Sequence, residues 1–463
     1  MKYYKFVFLF LILLYGNRSY TQNTVSCWLT TADKSSLLAK QQLQYKFSNT
    51  GDKGLPVISI DSNQKFQTMD GFGFALTGGS AMHLIRMSAI ERAKIIKELF
   101  ATDGNNIGIS YLRISIGASD LNDHVFSYDD MPEGQTDSNL LKFNLNQDEM
   151  DVIPVLKEIL SINPNIKILG SPWSAPAWMK TNNNIQGGKL KSEYYSIYAK
   201  YFLKYITEMK KKGITIDAVT LQNEPFNDGN TPSMQMFAKE QALFIKKDIG
   251  PLFKLNGVTT KIILYDHNCD APEYPISILT DQAARQYING SGFHLYAGNI
   301  TALTKVHTAF PGKDLYFTEM MATSRNGFNI ANPVDRILIG ATRNWSRNVI
   351  LWNLAADSNN NPHTDNGGCA MCQGAIAIDG NTITRNIAYY VIAHASKFIP
   401  MGSVRIGSSS SGTLPNVAFK TPEGKIVVIV ANEGEVPESF TISLGGKIIQ
   451  PTLMNSAVAT YVW

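Results

Sequence analysis

The 463-residue chain has few charges and few cysteines, and each shortage narrows what it can be. Lysine plus arginine number 42 and aspartate plus glutamate 38, so the formal net charge is only +4. Charged residues make up 17% and hydrophobic residues 44%, which is typical of a folded protein rather than a disordered one. The lysines are scattered, and no basic face with interleaved aromatics is visible, so we expect no nucleic-acid partner. Neither a GxGxxG fingerprint nor a P-loop is present, which leaves a nucleotide-binding fold unsupported.

The chain also lacks an apolar run at its start that is long enough to anchor it in a membrane. A charged beginning precedes the apolar segment 6–15, and a polar stretch follows. This is the layout of a secretory signal peptide, and its apolar core is shorter than the roughly 20 residues that span a bilayer. Small residues indicate cleavage after Thr21. We therefore expect an exported protein (secreted, periplasmic or at the cell surface) without stable membrane insertion after the signal is removed.

Only four cysteines are present: Cys27, Cys269, Cys369 and Cys372. Cys369 and Cys372 form a CxxC pattern, but no second CxxC and no paired-histidine motif accompanies it to complete a zinc site. In an exported protein, a local disulfide is a better interpretation of this pair than a metal or redox role. The pairing of Cys27 and Cys269 stays open. We expect neither a metal nor a cofactor.

What the chain does contain is a series of short apolar, β-branched runs that alternate with helical patterns. Most of these runs are continuously apolar, as in strands that are buried on both faces. Eight strand–helix alternations predict an α/β fold, a (β/α)8 TIM barrel rather than an open doubly wound sheet. The predicted strands are 66–75, 107–116, 166–170, 218–222, 261–265, 292–296, 315–318 and 348–352.

The segments between the strands have helical periodicity, and both ends of the chain differ from the middle. In the predicted helix 88–100, we expect Ile90, Ala93, Ile96 and Leu99 to form the buried stripe. After Pro400, short strands are separated by Gly, Pro and Asn, which predicts a small antiparallel sandwich. We expect the segment before the barrel to add strands to it. The predicted division is a signal peptide 1–21, an N-terminal segment 22–65 that joins the sandwich, a catalytic barrel 66–399 and a C-terminal sandwich 400–463.

Two glutamates lie at predicted strand tips. Glu224, in the sequence Gln-Asn-Glu-Pro, follows the fourth strand, and Glu319 follows the seventh. Active sites of such barrels lie at the C-terminal ends of the strands, and glycosidases use two carboxylates. Polar and aromatic residues at the other tips suit the hydroxyls and the apolar ring face of a sugar. They are Arg113, Asp120, Trp173, Trp178, Asn223, Asp266, His267, His294, Tyr296, Trp352 and Asn353.

Several motifs, in order along most of the chain, resemble glycoside hydrolase family 30, which includes glucocerebrosidase and β-1,6-glucanases. The similarity begins at MDGFG (69–73) and extends to the C-terminus. The further motifs are YLRISIGASD (111–120), GSPWSAPAWMKT (170–181), QNEP (222–225), FHLY (293–296), FTE (317–319), WNLA (352–355) and HASKFIP (394–400).

This resemblance implies a retaining β-glycosidase in which Glu224 is the general acid/base and Glu319 the nucleophile. It also implies that Asp120, Trp173, Asn223 and Trp352 shape the subsite of the cleaved sugar, with Arg113 and Tyr296 beside the nucleophile. His294 fits a structural role as well as a substrate contact. Arg113 should lower the pKa of Glu319, whereas Glu224 needs a raised pKa to donate a proton. Retention requires the two carboxyl groups to lie about 5–5.5 Å apart.

Two substrates remain open, β-1,6-glucan and a glucosylceramide-like β-glucoside. The polar loop 356–373, which contains the CxxC pattern, favours a glucan, because a rim that binds ceramide should expose apolar residues. Where glucocerebrosidase-like members have Thr-Asp after the first strand, this chain has Thr77-Gly78-Gly79. A carboxylate is therefore missing at the edge of the site. The sequence thus leaves the identity of the leaving group open.

Two other classes of function are weaker. A non-catalytic carbohydrate-binding protein would not need a matched acid and nucleophile, so the glutamate pair argues against it. A metal hydrolase could use Asp266, His267 and His294, but no HExxH-type spacing supports this interpretation.

Overall fold

The computed structural model describes residues 24–324, 327–365 and 368–463, so the predicted signal peptide lies outside the described residues. Helices of these ranges are all too short or too polar to cross a bilayer.

From residue 24 onward, four strands precede the barrel and belong to the all-β part of the protein. In β1 and β4, buried and more exposed residues largely alternate, because successive side chains of a strand point to opposite faces. The four strands are β1 Thr24–Thr30, β2 Ala39–Lys40, β3 Tyr45–Lys46 and β4 Val57–Thr68.

Eight parallel strands then close a barrel in which chain neighbours are also spatial neighbours, and the last strand pairs with the first. An apolar cluster contributed by six of the strands fills the interior; it consists of Tyr111, Leu169, Ala218, Ile263, Tyr316 and Ile350. The barrel strands are β5 Gly71–Ala75, β6 Tyr111–Ser115, β7 Lys167–Ser171, β8 Ala218–Thr220, β9 Lys261–Cys269, β10 Gly290–Gly298, β11 Asp314–Glu319 and β12 Ser346–Leu351.

Helices follow the barrel strands. The longer ones are amphipathic; α4, for example, buries an aromatic stripe that includes Tyr198, Tyr201 and Tyr205. Two of the helical segments include a π-helical stretch, at Ile245–Ile249 and Val334–Ile339. The α-helices are α1 Gly78–Arg86, α2 Ala89–Phe100, α3 Val152–Ile162, α4 Tyr195–Lys211, α5 Ala238–Phe244, α6 Gly250–Leu255, α7 Glu273–Thr280, α8 Gln282–Arg285, α9 Ala302–Ala309, α10 Ala331–Pro333, α11 Gly340–Arg343 and α12 Ile387–Ser396.

A small three-stranded sheet follows the last barrel strand in the chain, and the C-terminal strands complete the sandwich. The small sheet contains β13 Ala355–Ala356, β14 Ile376–Asp379 and β15 Thr382–Arg385. The C-terminal strands are β16 Val404–Ser408, β17 Asn416–Lys420, β18 Ile426–Ala431, β19 Glu438–Ser439, β20 Thr441–Leu444, β21 Lys447–Ile449, β22 Thr452–Leu453 and β23 Val458–Val462.

The sandwich contains strands from both ends of the chain. β1 pairs with the last strand, β23, and β4 lies between β16 and β20 in the same ten-stranded sheet. The pairing is antiparallel except between β4 and β20, which run parallel. The predicted fold class, a TIM barrel with a sandwich from both chain ends, is therefore confirmed.

Two sequence-based expectations differ from the structure. Residues 66–68 continue β4 of the sandwich, so the first barrel strand begins at Gly71 rather than at position 66. In α2, Ile90 is 69% exposed, and the buried residues are Ile95, Ile96, Leu99 and Phe100. Each three-residue step falls about 60° short of a full helical turn. Residues spaced by three therefore drift around the helix and off its buried face, so Ile90 and Ala93 point away from the core.

Candidate active site

Glu224 is held at the tip of β8 by a backbone conformation that non-glycine residues rarely adopt. Its φ is +46°, in the left-handed region. The amide of Glu224 donates to the carbonyl of Asp266 (2.9 Å), and the amide of Asn223 donates to that of Pro172 (2.8 Å). The neighbouring strand ends thus hold this tip on both sides. Strain of this kind is typical of functional positions.

A bulge near the end of β9 brings the consecutive residues Asp266 and His267 toward the same site. Tyr265 and Asp266 have φ values of +71° and +62°, and the pairing of β9 with β10 shifts register at this point. Consecutive side chains of a regular strand point to opposite faces, and a bulge breaks that alternation. Asp266 and His267 are accordingly both buried beside Glu224 and His294.

Arg113, on β6, connects the acidic groups of the site. Its guanidinium donates to Glu319 Oε2 (2.5 Å), Asp266 Oδ2 (2.8 Å) and Asn223 Oδ1 (2.7 Å). A fully buried cation requires such partners. Burial lowers the pKa of Arg113, but the charges of Asp266 and Glu319 more than offset this effect and raise it.

Glu319 lies between a phenol and two cationic side chains. Tyr296 donates its hydroxyl to Glu319 Oε1 (3.1 Å), while Arg113 binds the other oxygen. His294 Nδ1 lies 3.9 Å from Glu319 Oε1. Such an arrangement keeps the carboxylate in one orientation.

Glu224 has its own partners. Asn227 donates to Glu224 Oε2 (2.7 Å), and His294 Nδ1 lies 3.3 Å from Glu224 Oε1. Because His294 Nδ1 lies 3.3 Å from one glutamate and 3.9 Å from the other, the two Oε1 atoms are at most about 7.2 Å apart. This bound is compatible with the roughly 5–5.5 Å between carboxyl groups that retaining glycosidases require.

The pKa shifts are the reverse of the expected ones. Burial tends to raise the pKa of Glu224, but the neighbouring imidazoles of His267 and His294 lower it below its usual value. Burial raises the pKa of Glu319 despite His294 and Arg113. The expectation for Glu319 considered Arg113 alone, and that for Glu224 considered only the proton it has to donate. Arg113 is shared with Asp266, whose pKa lies well below its usual value, and His294, with a pKa raised to about 9, faces both glutamates.

Two tryptophan rings and one further acid lie beside Arg113 and the two glutamates. The rings of Trp173 and Trp352 stack with centroids 5.3 Å apart, and the guanidinium of Arg113 lies over both. Asp120 is 5% exposed, and burial together with the charges of Glu319 and Glu224 raises its pKa to about 8.

The CxxC loop packs behind these tryptophans. The structure joins Cys369 and Cys372 in a disulfide bond, whereas Cys27 and Cys269 are free and buried. Cys372 belongs to the same apolar cluster as Trp173 and Trp352. The disulfide therefore borders the tryptophan pair.

The missing carboxylate after the first strand has a steric explanation. Gly78 and Gly79 begin α1, and a β-carbon on Gly78 would overlap the amide of Asn122. One on Gly79 would lie 2.6 Å from the carbonyl of Leu121. The loop after β6 occupies the space that a larger residue would need.

The structure brings every predicted catalytic and substrate-binding residue into this one region, but two tip residues have other roles. Trp178 donates to the carbonyl of Asp129, and Asn353 donates to that of Ala355, so both contribute to loop structure. Residues that the sequence analysis missed support the site from below and beside it. They are Ser171, Thr220 and Thr318, which bind Asp266, and Asn227. Ser171 and Thr220 are the last residues of β7 and β8, and Thr318 precedes Glu319 on β11. Their positions at strand tips could have identified them from the sequence.

Asp266, His267 and His294 do not form the ligand set that a metal hydrolase would need. Asp266 faces Arg113 and His294 Nε2 instead. Within the described residues, the group of donors close enough to share an ion is Glu224, His267 and His294.

The comparisons with known proteins agree with this geometry. Residues 69–399 match the glycosyl hydrolase family 30 TIM-barrel domain, and residues 402–461 match the family 30 beta sandwich domain. The chain is 36% identical to an endo-1,6-β-D-glucanase of Aspergillus fumigatus, over 86% of each chain. It is 35% identical to an endo-1,6-β-D-glucanase of Trichoderma harzianum, over 81% of this chain and 80% of that one.

A more distant relative and a solved structure are also similar to this chain. The lysosomal acid glucosylceramidase of Mus musculus is 26% identical, over 88% of this chain and 83% of that one. The solved structure of an endo-β1,6-glucanase matches with a TM-score of 0.88 and 34% identity, covering 95% of this chain and 99% of that one.

Proposed function

Because the chain belongs to glycosyl hydrolase family 30 and is an O-glycosyl hydrolase, we propose that it hydrolyses β-1,6-linked glucan with retention of configuration. The observation that carries this proposal is that its 34–36% identical relatives, matched over at least four-fifths of each chain, are endo-1,6-β-glucanases. Glucosylceramidases match at only 26–29% identity. The two buried glutamates have different partners, which suits a double displacement with one nucleophile and one acid/base.

In the first step, Glu319 attacks the anomeric carbon and becomes part of a glycosyl ester. Arg113 and Tyr296 hold its two oxygens, so one lone pair can be aimed at the sugar before the reaction begins. The bond to the leaving oxygen breaks as the bond to Glu319 forms. The ester removes the negative charge that Glu319 presents to His294.

Glu224 donates the proton to the leaving oxygen and then accepts one from water. His294 Nδ1 and Glu224 Oε1 are 3.3 Å apart, so the pair can hold one proton between two atoms. As the ester bond to Glu319 forms, the negative charge that favours the protonated form of His294 is lost. In this same step the proton moves from the pair to the leaving oxygen, so the leaving sugar departs as a neutral alcohol. Asn227 keeps the carboxylate of Glu224 in place throughout.

The cleaved sugar is bound by Asn223, Asp120 and the tryptophan pair. Asn223 Oδ1 accepts from Arg113, which leaves its amide nitrogen to donate to the sugar 2-hydroxyl. Asp120 offers a carboxyl group to the other hydroxyls, and Trp173 with Trp352 covers the apolar face of the ring.

The sugar on the leaving side binds near Phe226, two residues after Glu224. Phe226 and Phe237 are each 39% exposed, and their ring centroids lie 5.9 Å apart. Lys189 Nζ lies 4.2 Å from the centre of the Phe237 ring. Exposed aromatic rings beside a cationic donor suit a glucosyl unit better than a ceramide chain, which requires a larger apolar surface.

Glu319→Gly and Glu224→Ala test the chemistry. We expect Glu319→Gly to abolish hydrolysis and to regain turnover with azide, yielding a glycosyl azide of inverted configuration. Glu224→Ala should keep activity on substrates with a good leaving group and give a β-azide product of retained configuration. If azide rescued Glu319→Gly with retention, the two roles would be reversed.

A panel of substrates tests the linkage. We expect pustulan, a β-1,6-glucan, to be hydrolysed much faster than β-1,3-glucan, β-1,4-glucan or glucosylceramide. Phe226→Ala should raise the KM for pustulan roughly 2- to 10-fold, the range of one aromatic contact. Val436→Ala, on the exposed surface of the sandwich, is the matched control. Faster hydrolysis of glucosylceramide would contradict the assignment.

We also propose that the protein is exported, on the basis of the N-terminal pattern in residues 1–21. Sequencing the N-terminus of the protein recovered outside the cytoplasm should find a chain that begins near residue 22. A chain retained inside the cell with an intact N-terminus would overturn this proposal.

A further inference from the structure

Three buried donor atoms converge on one side of Glu224. Glu224 Oε1 lies 3.3 Å from His294 Nδ1 and 3.7 Å from His267 Nδ1. All three donor atoms lie within 4.8 Å of one another. Ligand atoms on a tetrahedral zinc ion with bonds of about 2.0–2.2 Å are roughly 3.4 Å apart. Small side-chain movements would therefore give all three atoms bonding distances to one ion.

His267 supplies an independent indication of a ligand. Its Nδ1 is buried, and it has no hydrogen-bond partner among the residues that the structure describes, while the whole residue is only 8% exposed. The ring is surrounded by Phe226 and Tyr265, with centroids 5.7 and 5.9 Å away. A buried polar atom without a partner requires an explanation. An ion bound between His267 and Glu224 would satisfy it.

The outer partners orient two of the three ligands as metal sites require. His294 Nε2 lies 3.1 Å from Asp266 Oδ1, and Asp266 also pairs with Arg113. An ionised Asp266 can only accept, so His294 Nε2 donates to it. Zinc would displace the proton from Nδ1, whose lone pair then points toward Glu224. Metal-bound histidines commonly donate their second nitrogen to a carboxylate in this way. Asn227 fixes the second oxygen of Glu224.

The donor set selects the class of metal. Two imidazoles and one carboxylate suit Zn²⁺, whereas Ca²⁺ and Mg²⁺ prefer six or more oxygen ligands. Three protein ligands would leave the fourth position to water or to a hydroxyl of the substrate. The same ion would bind the carboxylate of Glu224, which has to donate a proton to the leaving oxygen.

We propose that Glu224, His267 and His294 form a zinc-binding site, and that Zn²⁺ bound there inhibits hydrolysis reversibly. The inhibition, but not the binding, rests on the proposed role of Glu224 as acid/base. Zinc is thus an inhibitor of this enzyme and takes no part in its chemistry.

Calorimetric titration of the chelator-treated protein with Zn²⁺ tests the binding, and the absorption spectrum of bound Co²⁺ reports tetrahedral coordination. We expect one ion per chain and at least about a 10-fold weaker affinity in His267→Gln. His124→Gln, which changes an exposed histidine that pairs with Asp123, is the matched control and should leave the affinity unchanged.

If His267→Gln fails to fold, as judged by circular dichroism, Glu224→Gln takes its place, because an amide is a poor ligand for zinc. Unchanged affinity in the folded variant, or loss of binding in His124→Gln, would overturn the site. Hydrolysis assays in the same titration separate the two proposals. Zinc that binds at this site without inhibiting would contradict the role of Glu224. If zinc does not bind and Glu224→Ala is still inactive on glucan, only the metal site is contradicted.

Discussion

At the scale of single residues, the two glutamates differ through their neighbours rather than through their own chemistry. Glu319 receives donors from Arg113 and Tyr296, whereas Glu224 receives them from Asn227 and His294. The left-handed backbone of Glu224 costs about 1–3 kcal/mol and persists only because the surrounding structure requires it. Both side chains are thus oriented before a substrate arrives.

Asn227→Ala tests this orientation. Asn227 Nδ2 donates to Glu224 Oε2 at 2.7 Å. Hydrogen bonds to charged groups contribute about 1.5–3 kcal/mol, so we expect kcat on glucan to fall roughly 10- to 100-fold with little change in KM. Steady-state kinetics measures both parameters.

Asn165→Ala is the matched control, because Asn165 is exposed and precedes β7 at the opposite end of the barrel. It should keep both kcat and KM. An Asn227→Ala variant with unchanged kcat would show that Glu224 does not depend on this hydrogen bond.

At the scale of elements, the start of α1 is matched sterically to the loop after β6. Thr77 caps α1 by accepting from the amide of Ser80 (3.1 Å), and Gly78 follows it against the side chain of Asn122. Asn122 is itself held, since its Oδ1 accepts from the amide of Ser119 (2.9 Å). Asp120, two residues before Asn122, is a predicted residue of the sugar subsite.

Gly78→Ala should therefore disturb both stability and activity. The added methyl group would overlap Asn122, and overpacking of this kind costs about 1–3 kcal/mol. We expect a lower free energy of unfolding in urea and a higher KM for glucan. Gly312→Ala is the control, because no atom lies within 4 Å of its added β-carbon. Equal stability of the two variants would rule out the steric explanation.

The loop that contains the disulfide is the second element of interest. Cys372 packs with Trp173 and Trp352, so replacing Cys369 and Cys372 together by serine should loosen the packing of this tryptophan pair. We expect the KM for glucan to rise more than kcat falls. Met371→Ala changes a half-exposed residue of the same loop, keeps the disulfide and should preserve KM. An unchanged KM in the double variant would separate the disulfide from substrate binding.

At the scale of the whole molecule, one sheet of the sandwich serves two cores. In β18, Val427, Ile429 and Ala431 belong to the barrel cluster, whereas the alternate residues Ile426, Val428 and Val430 belong to the sandwich cluster. The alternation of side chains along a strand explains this division. Barrel and sandwich therefore share a continuous apolar interface.

His394 joins the two parts inside this interface. Its ring lies within 2.8 Å of the hydroxyl of Thr460 on β23 and within 2.9 Å of that of Thr30 on β1, while His394 itself belongs to α12. Burial lowers its pKa from 6.5 to about 3. The folded protein thus keeps this ring neutral at a pH where the unfolded chain is protonated.

The stability of the protein should consequently depend on pH through His394. Its contribution is complete above pH 6.5 and is lost as the pH falls toward about 3, because only the unfolded state takes up the proton. The slope for one proton is about 1.4 kcal/mol per pH unit. Urea unfolding between pH 4 and pH 7 should show a smaller slope for His394→Gln than for the wild type. Equal slopes would assign the dependence to other groups.

The local pattern of the chain was sufficient to predict the barrel, the sandwich from both ends and the strand tips that carry Glu224 and Glu319. These features depend on hydrophobic periodicity and on the order of the strands, and both can be read from short stretches of sequence. The bulge at Asp266, the sharing of Arg113 between two acids and the position of His294 between two glutamates were not predictable in this way. Each depends on side chains that are distant in the chain and meet only after the barrel closes.

The sequence by itself therefore determined the architecture of this protein and the pair of glutamates, through hydrophobic period and residue type. Only the tertiary structure decided the charge environment of the pair. The pKa of a buried carboxyl depends on every charge within a few ångströms, and in Glu224 and Glu319 that balance reversed the expected shifts. The same three-dimensional arrangement brought His267 and His294 against Glu224, which no spacing in the sequence indicates.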